Sequence, residues 1–243
     1  MKMLTFAKRC TKEILRDPLT LFFGLGFPVV LLLLLSAIQS NVPVELFEIE
    51  SLAPGIAVFG LSFITLFSAT LISKDRESSL LQRLYTTPLK AADFIFGYVL
   101  PIIPIAFIQA LVCYGIALPL GLPVNVNVVY ALLLMIPVSL LYISMGLLFG
   151  SILNVKQTGG ICGALLTNLS AWLSGIWFDL DLVGNAFGKI ARLLPFFHAV
   201  ELERAAISGS YSHIIPHLAV IMGYSAAIVV LAVLLFLRQM KKQ

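Results

Sequence analysis

The sequence predicts an all-α membrane protein with six transmembrane helices. Of its 243 residues, 60% are hydrophobic and only 12% are charged, whereas soluble domains usually carry about 25% charged residues. Six apolar runs reach the roughly 20 residues that a helix needs to cross a bilayer. A soluble core of this size could not bury so much apolar surface. We therefore expect residues 1–243 to form one transmembrane domain.

The predicted spans contain no Asp, Glu, Lys or Arg. One such charge at the bilayer centre costs roughly 2.5–3.5 kcal/mol on insertion scales, so charge-free runs of this length are a strong signal. The six runs are Leu19–Ser40, Ala53–Ser73, Phe94–Pro119, Val128–Gly150, Thr158–Phe178 and Ile214–Leu237.

The distribution of basic residues predicts the orientation. Thirteen of the sixteen Lys and Arg residues fall in the N-terminal segment, the loops after the second and fourth spans, and the C-terminal tail. Because basic residues favour the cytoplasmic side, we expect both termini in the cytoplasm of a multi-pass cell membrane protein. The positive charge then reflects topology and contact with membrane lipids, and nucleic acid is not an expected partner.

The first 17 residues have the pattern of an amphipathic helix. An apolar face and a basic face alternate at helical spacing, and Asp17-Pro18 ends the helix before the first span. The apolar face comprises Met3, Phe6, Ala7, Cys10 and Ile14, and the basic face comprises Lys8, Lys12 and Arg16. Such a helix lies in the membrane interface. The alternative is a plain basic anchor.

The loop over residues 74–92 predicts a short helix outside the membrane. Asp75 can cap a helix that runs from Arg76 to Tyr85. Its leucines form an apolar ridge at i,i+4 spacing with charged residues beside it. Such a helix suits a groove on another protein, or it packs on lipid headgroups.

Motifs for catalysis or nucleotide binding are absent from the sequence. It has no Walker A pattern, no HExxH, no CxxC and no GxSxG. An ion-coupled carrier would bury ionisable groups in its spans, and the candidates here are few: Gln109, Gln157, Asn168 and His217. The scarcity of such groups favours a transporter whose energy comes from a separate subunit. The alternative is an ion-coupled secondary transporter. An intramembrane enzyme would need paired catalytic groups in the spans.

A metal site near the C-terminal span is a further candidate. His198, Glu201, His213 and His217 contain one i,i+4 histidine pair, a spacing that can ligate zinc. Pro216 interrupts that turn, and no third ligand is fixed by spacing. We therefore favour no metal and no cofactor in this chain.

Two stretches resemble the ABC-2 type permeases, the membrane subunits of ATP-binding-cassette exporters. The first, DRESSLLQRLYTTPLKAADFIFGYVLPIIPIAFIQALV, is similar to the first cytoplasmic loop and third span of that family. The second, LLPFFHAVELERAAISG (Leu193–Gly209), is similar to its late external segment. The resemblance implies an N-terminal interface helix, a cytoplasmic coupling helix, and short external re-entrant helices within residues 179–213.

The resemblance also implies three sets of functional residues. The coupling helix, which docks on the ATPase, would use Arg76, Glu77, Leu80, Leu81, Arg83 and Leu84. A path lined by the second and fifth spans of two half-transporters would use Phe63, Thr65, Phe67, Thr167, Asn168, Ser170 and Ser174. An external gate would be held by local ion pairs among Glu201, Glu203 and Arg204. Small hydroxyl residues in spans also serve helix packing, which is the alternative for the path residues.

The expected partners follow from the same resemblance. A nucleotide-binding subunit would hold ATP and Mg, so this chain itself is not expected to be an enzyme. A second permease copy, in a homodimer or a heterodimer, would complete the path. The cargo would be a small amphipathic or hydrophobic molecule, such as a drug, an antimicrobial peptide or a lipid, moved outward.

Two glycine patterns predict close helix contacts. Gly146 and Gly150 form one GxxxG pattern, and Gly159 and Gly163 form another. In apolar surroundings such patterns allow two helix backbones to approach closely. We expect these contacts within the bundle rather than between subunits.

Overall fold

The computed structural model describes residues 2–42, 47–78 and 91–240, and within these ranges it contains helices and no strands. An N-terminal helix, α1 (Lys2–Leu15), precedes four long helices. These are α2 (Pro18–Asn41), α3 (Ile49–Glu77), α4 (Ala91–Ala117) and α5 (Val126–Ile152). Asp17 caps α2 by accepting hydrogen bonds from the backbone N–H groups of Leu19 and Thr20, as expected for Asp before a proline at a helix start.

The second half of the chain contains shorter helices and one long one. The helical segment α6 consists of Val155–Thr158, a π-helix over Gly159–Leu166, and Thr167–Leu173. Three short helices follow, and the chain ends in α10. They are α7 (Leu180–Val183), α8 (Asn185–Leu193), α9 (Pro195–Ser208) and α10 (Tyr211–Met240).

Within the described ranges, five helices are long and apolar enough to cross a membrane: α2, α3, α4, α5 and α10. The chain is therefore a multi-pass membrane protein. The sixth predicted span, Thr158–Phe178, is not among these five. Its helix begins at Val155 and ends at Leu173, so it includes the polar Lys156 and Gln157 and excludes the apolar residues after Gly175. The sequence run looked longer because Ile176, Trp177 and Phe178 are apolar, but they follow a turn at Gly175, where φ is +72°.

Helix α3 forms the centre of the bundle. In its most apolar stretch 83% of the residues are buried, against 22% in α2 and 17% in α10. Its most extensive contacts are with α5, and it also packs on α4, α6 and α9. The outward faces of α2 and α10 leave large apolar side chains exposed, which suits a lipid environment.

The two ends of α3 define two ends of the bundle. At the basic end, which holds α1 and Lys74, the backbone N–H of Val155 at the start of α6 donates to Glu77 at 2.9 Å. At the opposite end, Arg204 of α9 donates to the carbonyl of Ser51 near the start of α3 at 3.3 Å. The predicted coupling residue Glu77 therefore lies at the basic end, and the predicted gate residue Arg204 lies at the opposite end.

The apolar face of α1 is buried. Phe6, Cys10 and Ile14 pack in the core, and the Phe6 ring meets the Tyr98 ring of α4 edge-on at 4.9 Å. This face is the one that the sequence pattern predicts. It packs on α4 of the same chain.

Candidate functional site

The coupling residues divide between described and undescribed parts of the chain. Leu80, Leu81, Arg83 and Leu84 lie outside the described residues. Arg76 and Glu77 form the last turn of α3. The Arg76 guanidinium donates to the backbone carbonyls of Ser151 and Leu153, and Glu77 accepts from the Val155 N–H. These two residues therefore join the end of α3 to the corner between α5 and α6.

Asp75 does not cap a helix that begins at Arg76, because α3 continues through it to Glu77. Its carboxylate is 2% exposed and accepts from Arg9 Nη2 at 2.6 Å and from the Tyr98 hydroxyl at 2.9 Å. The hydrogen bond to Asp75 raises the pKa of Arg9, although partial burial opposes the shift. The Arg9–Asp75 ion pair and the Tyr98–Asp75 hydrogen bond thus tie α1 to α3 and α4.

The predicted path residues of α3 lie inside this subunit. Thr65 is fully buried and donates to the Tyr142 carbonyl of α5 at 2.8 Å. Phe63 is 7% exposed and packs against the rings of Phe23, Phe27 and Phe59. Phe67 is half-buried beside Gly24, where an added Cβ would lie 3.0 Å from its ring. The three residues therefore contact neighbouring helices of the same chain.

The predicted path residues of α6 lie on two faces. Ser170 is buried, with its hydroxyl 3.0 Å from that of Tyr142. Thr167 and Ser174 are also buried and donate to carbonyls of their own segment. Asn168 is exposed and lies on the same face as Trp172, which is 51% exposed. The structure brings Thr65 and Ser170 together around Tyr142 and places Asn168 on the outside.

The predicted gate residues also separate. Glu201 and Arg204 form an ion pair with 3.0 Å between Oε1 and Nη1. Arg204 also donates to the carbonyls of Ser51 and Gly175, so it links the start of α3, the end of α6 and α9. The expectation that Glu203 joins this ion pair is wrong. Glu203 turns into the bundle, where the hydroxyl of Tyr114 donates to its Oε2 at 2.8 Å.

Glu203 is the most unusual ionisable group among the described residues. It is fully buried, and its Oε1 has no hydrogen-bond partner there. Loss of hydration disfavours the carboxylate and raises the pKa of Glu203 well above its ordinary value. The hydrogen bond from the Tyr114 hydroxyl lowers the pKa of Glu203, but by less than burial raises it. A protonated carboxyl is the form that suits this site.

A cavity of about 460 Å³ lies beside the Glu201–Arg204 pair. Aromatic and aliphatic side chains line it together with four charged ones. The apolar residues are Phe47, Leu52, Ile176, Trp177, Phe178, Leu180, Leu182 and Phe197, and the charged residues are Asp179, Arg192, Glu201 and Arg204. Such a wall with a few charged groups suits an amphipathic molecule.

Of the four residues considered for a metal site, His198 and His217 form a hydrogen-bonded pair, and Glu201 pairs with Arg204. The Nδ1 atoms of His198 and His217 are 2.8 Å apart, so one ring donates to the other. The Nε2 of His198 is 2.9 Å from the carbonyl oxygen of Arg192. In the described ranges no group of three His, Cys, Asp or Glu residues could hold a metal ion.

Three residues that the sequence analysis did not select organise these sites. Tyr98, Tyr114 and Tyr142 are each buried, and each hydroxyl lies within 3.0 Å of a side chain of another helix. A tyrosine in an apolar span is the signal that could have revealed them, since a buried hydroxyl needs a partner.

Comparison with known proteins places the chain in a family. Residues 1–207 match the family model of the ABC-2 type transporter. The chain is also similar to ABC transporter G family member 20 of Dictyostelium discoideum, with 25% identity over 159 residues, or 62% of this chain and 21% of that protein. The chain thus spans about a fifth of the length of that relative. Because the family model covers most of the sequence, the chain belongs to the ABC-2 type transporter family, the membrane component of ATP-binding-cassette transporters.

Proposed function

We propose that this chain is the permease subunit of an exporter driven by ATP hydrolysis on a separate nucleotide-binding subunit. The observation that carries the proposal is the junction at the basic end. Arg76 and Glu77, the first two of the predicted docking residues, hold the end of α3 to the α5–α6 corner. A displacement of the docking segment by the ATPase would therefore move α3, α5 and α6 together.

Helix α3 provides a route for such a movement to the opposite end. It runs from Glu77 at the junction to Ser51, whose carbonyl accepts from Arg204. Arg204 also pairs with Glu201 beside the 460 Å³ cavity. Movement of α3 would thus reach the proposed gate, formed by Glu201 and Arg204, through one rigid element.

We also propose six crossings, with α6 as the fifth. Its first residue, Val155, is bonded to Glu77, and Gly175, just after its end, is bonded to Arg204. These partners lie at the two ends of α3. At 1.5 Å per residue, the 19 helical residues of 155–173 extend about 28 Å, close to the hydrocarbon thickness. Both termini would then lie in the cytoplasm.

The exposed face of α6 gives the proposed path its most accessible residues. Asn168 and Trp172 present a polar and an aromatic group away from the subunit core. A second permease copy opposite this face would enclose a path suited to a small amphipathic or hydrophobic cargo. In this arrangement Thr65, Thr167, Ser170 and Ser174 would shape the helices behind the path.

The docking segment is tested by charge and polarity changes in reconstituted transporter. Leu84→Asp and Arg83→Glu, in vesicles that also hold the cognate ATPase, are expected to abolish transport while the permease still inserts and folds. Matched controls away from both the docking segment and the cavity are Val124→Asp, where the valine is 84% exposed, and Lys189→Glu. Both controls should transport normally. Transport-coupled ATP hydrolysis that survives in both docking variants would contradict the proposal.

One observation favours an ion-coupled carrier as a second candidate. Glu203 is a buried carboxyl with an unpartnered oxygen in the described structure, and such groups occur in proton relays of transporters. Vesicles that contain this chain alone, with a proton gradient imposed and no ATPase present, distinguish the two. Uphill solute movement under these conditions would support the carrier and overturn the exporter.

A further inference from the structure

The basic end of the bundle contains a recess that has no role in the proposed transport function. Its polar part is a cavity of about 840 Å³ bounded by α1, the start of α2 and Lys74 of α3. Five basic and two acidic side chains line it, which gives it an excess of positive charge. They are Lys8, Arg9, Lys12, Arg16 and Lys74, with Glu13 and Asp17.

Most of this positive charge is not neutralised by nearby carboxylates. Glu13 pairs with Arg9, which also holds Asp75. The Asp17 carboxylate caps α2, and its charge also attracts Lys74 without a direct ion pair. In ranges 2–42, 47–78 and 91–240 no carboxylate forms an ion pair with the other four cations, all of them exposed: Lys8, Lys12, Arg16 and Lys74. These four ammonium and guanidinium groups are available to a bound anion.

An apolar groove continues from the polar cavity. It has a volume of about 220 Å³ and shares Glu13, Asp17 and Lys74 with the polar part, so the two form one recess. Apolar side chains of α1, α2 and α3 form most of the rest of its wall: Ile14, Leu19, Phe23, Leu66, Phe67 and Leu71. From Lys74 to Leu66 the groove follows α3 for eight residues, or about 12 Å into the bundle.

The wall of the recess is held in place by contacts behind it. The Arg9–Asp75 ion pair and the Tyr98–Asp75 hydrogen bond fix α1 against α3 and α4. Phe6 and Cys10 are buried on the far side of α1. The basic groups are therefore presented on a fixed scaffold, which lowers the entropic cost of binding a ligand.

We propose that this recess binds one anionic phospholipid from the leaflet at the basic end. The headgroup phosphate lies among Lys8, Lys12, Arg16 and Lys74, and one acyl chain lies in the groove between α2 and α3. A basic pocket joined to an apolar groove at membrane depth matches the two ends of such a lipid. A free anion would use only the polar half, and a neutral lipid would leave the cations unpaired. The proposal needs only a membrane-embedded chain and does not depend on the transport function.

The charge requirement is tested with lipid binding to delipidated protein. Phosphatidylglycerol and phosphatidylcholine with identical chains are titrated and followed by native mass spectrometry. Each removed charge should weaken phosphatidylglycerol binding about fivefold, so Lys12→Gln/Lys74→Gln should lose about twenty- to thirtyfold. The matched control Lys156→Gln/Lys189→Gln removes two exposed lysines outside the recess and should bind like the unmodified chain. Phosphatidylcholine should bind weakly to all three proteins.

The groove is tested separately with a variant that leaves the charge intact. Thr70 is a half-buried residue of the groove wall, and Thr70→Phe would fill the space for the acyl chain. This variant should lose phosphatidylglycerol binding about tenfold or more, since the apolar contact area is lost, while its weak binding of glycerol 3-phosphate stays unchanged. Monodisperse elution and an unchanged melting temperature show that a variant is folded.

Three results would overturn the proposal. Equal losses in the recess variant and the control would mean a general charge effect. Glycerol 3-phosphate that binds as tightly as the lipid would mean an anion site without a chain groove. If Lys12→Gln/Lys74→Gln keeps its lipid but loses the ATPase subunit, the recess is a protein-docking surface.

Discussion

At the scale of single residues, buried hydroxyl and carboxyl groups specify how the helices meet. Tyr98, Tyr114 and Tyr142 each join polar groups across helices in an otherwise apolar bundle. Apolar side chains pack almost equally well in several rotations of a membrane helix, whereas a buried polar group is satisfied in only one. These contacts therefore define one arrangement among many of similar packing energy. Glu203 and Gln109 are exceptions, because one side-chain oxygen of each has no partner in the described structure.

The burial of Glu203 predicts a pH dependence of stability. Its folded-state pKa is raised above the ordinary value of about 4.3, so the folded chain binds the proton more tightly than the unfolded chain. The stabilisation is fully present below pH 4 and is lost as the pH rises through the raised value. Glu203→Gln imitates the protonated form at every pH. Its melting temperature in detergent should match that of the unmodified chain near pH 4.5 and exceed it increasingly toward pH 8.

Glu201→Gln provides the control for this titration. Glu201 is partly exposed and pairs with Arg204, so its replacement removes an ion pair and should not stabilise the chain at high pH. A melting-temperature difference between Glu203→Gln and the unmodified chain that stays constant from pH 4.5 to 8 would show that Glu203 does not hold its proton in the folded state.

The two acidic gate residues show what the sequence could have revealed. Glu201 and Arg204 are three residues apart, so a helix places them on one face, whereas Glu203 is two residues from Glu201 and faces elsewhere. Helical spacing alone therefore separates Glu203 from the ion pair. Its partner Tyr114 is 89 positions away, and no local pattern indicates such a pair.

At the scale of elements, local signals predicted helices well and helix ends poorly. Five of the six apolar runs were confirmed as long helices because length and composition alone decide them. The Asp75 cap was wrong because a long-range ion pair with Arg9, 66 positions away, outweighs a local capping preference. The sixth run, Thr158–Phe178, differs because its helix ends at Leu173 and the chain turns at Gly175, which the apolar composition of the run does not reveal.

The glycines of α5 give a prediction for the contact between α3 and α5. A Cβ at Gly146 would lie 2.3 Å from the Ser68 Cβ and 3.0 Å from the Thr65 carbonyl oxygen of α3. This contact agrees with the prediction that the pattern serves packing within the bundle. Gly146→Ala must push the helices apart, and we expect a loss of about 1–2 kcal/mol in unfolding free energy.

Open glycines supply the matched control for that change. Gly223 of α10 and Gly115 of α4 have no other atom within 4 Å of an added Cβ. Gly223→Ala and Gly115→Ala should be neutral or slightly stabilising, because alanine favours helix more than glycine does. Thermal unfolding of all three variants in the same detergent makes the comparison. A Gly146→Ala protein as stable as Gly223→Ala would mean that α3 and α5 are not in close contact.

At the scale of the whole molecule, the bundle has two ends that differ in their side chains. The basic end contains α1, the lipid recess, formed by the polar cavity and its apolar groove, and the junction beside the predicted docking segment. The opposite end contains the aromatic cavity and the Glu201–Arg204 pair. Helix α3 connects them. In the proposed exporter, an ATP-driven movement at one end and a release event at the other would be linked through this most buried of the five long apolar helices in the described structure.

The number of crossings determines which ends of the chain share a compartment, and it can be measured by labelling single cysteines. The native Cys10, Cys113 and Cys162 are fully buried, and burial raises the pKa of the Cys10 thiol to about 12, so the unmodified chain should react little. Three exposed positions then report the side of the membrane: Ser78, Val124 and Leu182.

A membrane-impermeant maleimide separates the alternatives in intact cells. Of the described helices, α4 alone lies between Ser78 and Val124, so Ser78→Cys should react only after permeabilisation and Val124→Cys without it. Leu182 follows α4, α5 and α6, so with α6 as a crossing Leu182→Cys should behave like Val124→Cys. If Leu182→Cys instead reacts only after permeabilisation, α6 does not cross, the aromatic cavity faces the cytoplasm, and the outward gate proposed at Glu201 and Arg204 is wrong. This outcome leaves the family assignment intact, because that assignment rests on the match over residues 1–207 and not on the number of spans.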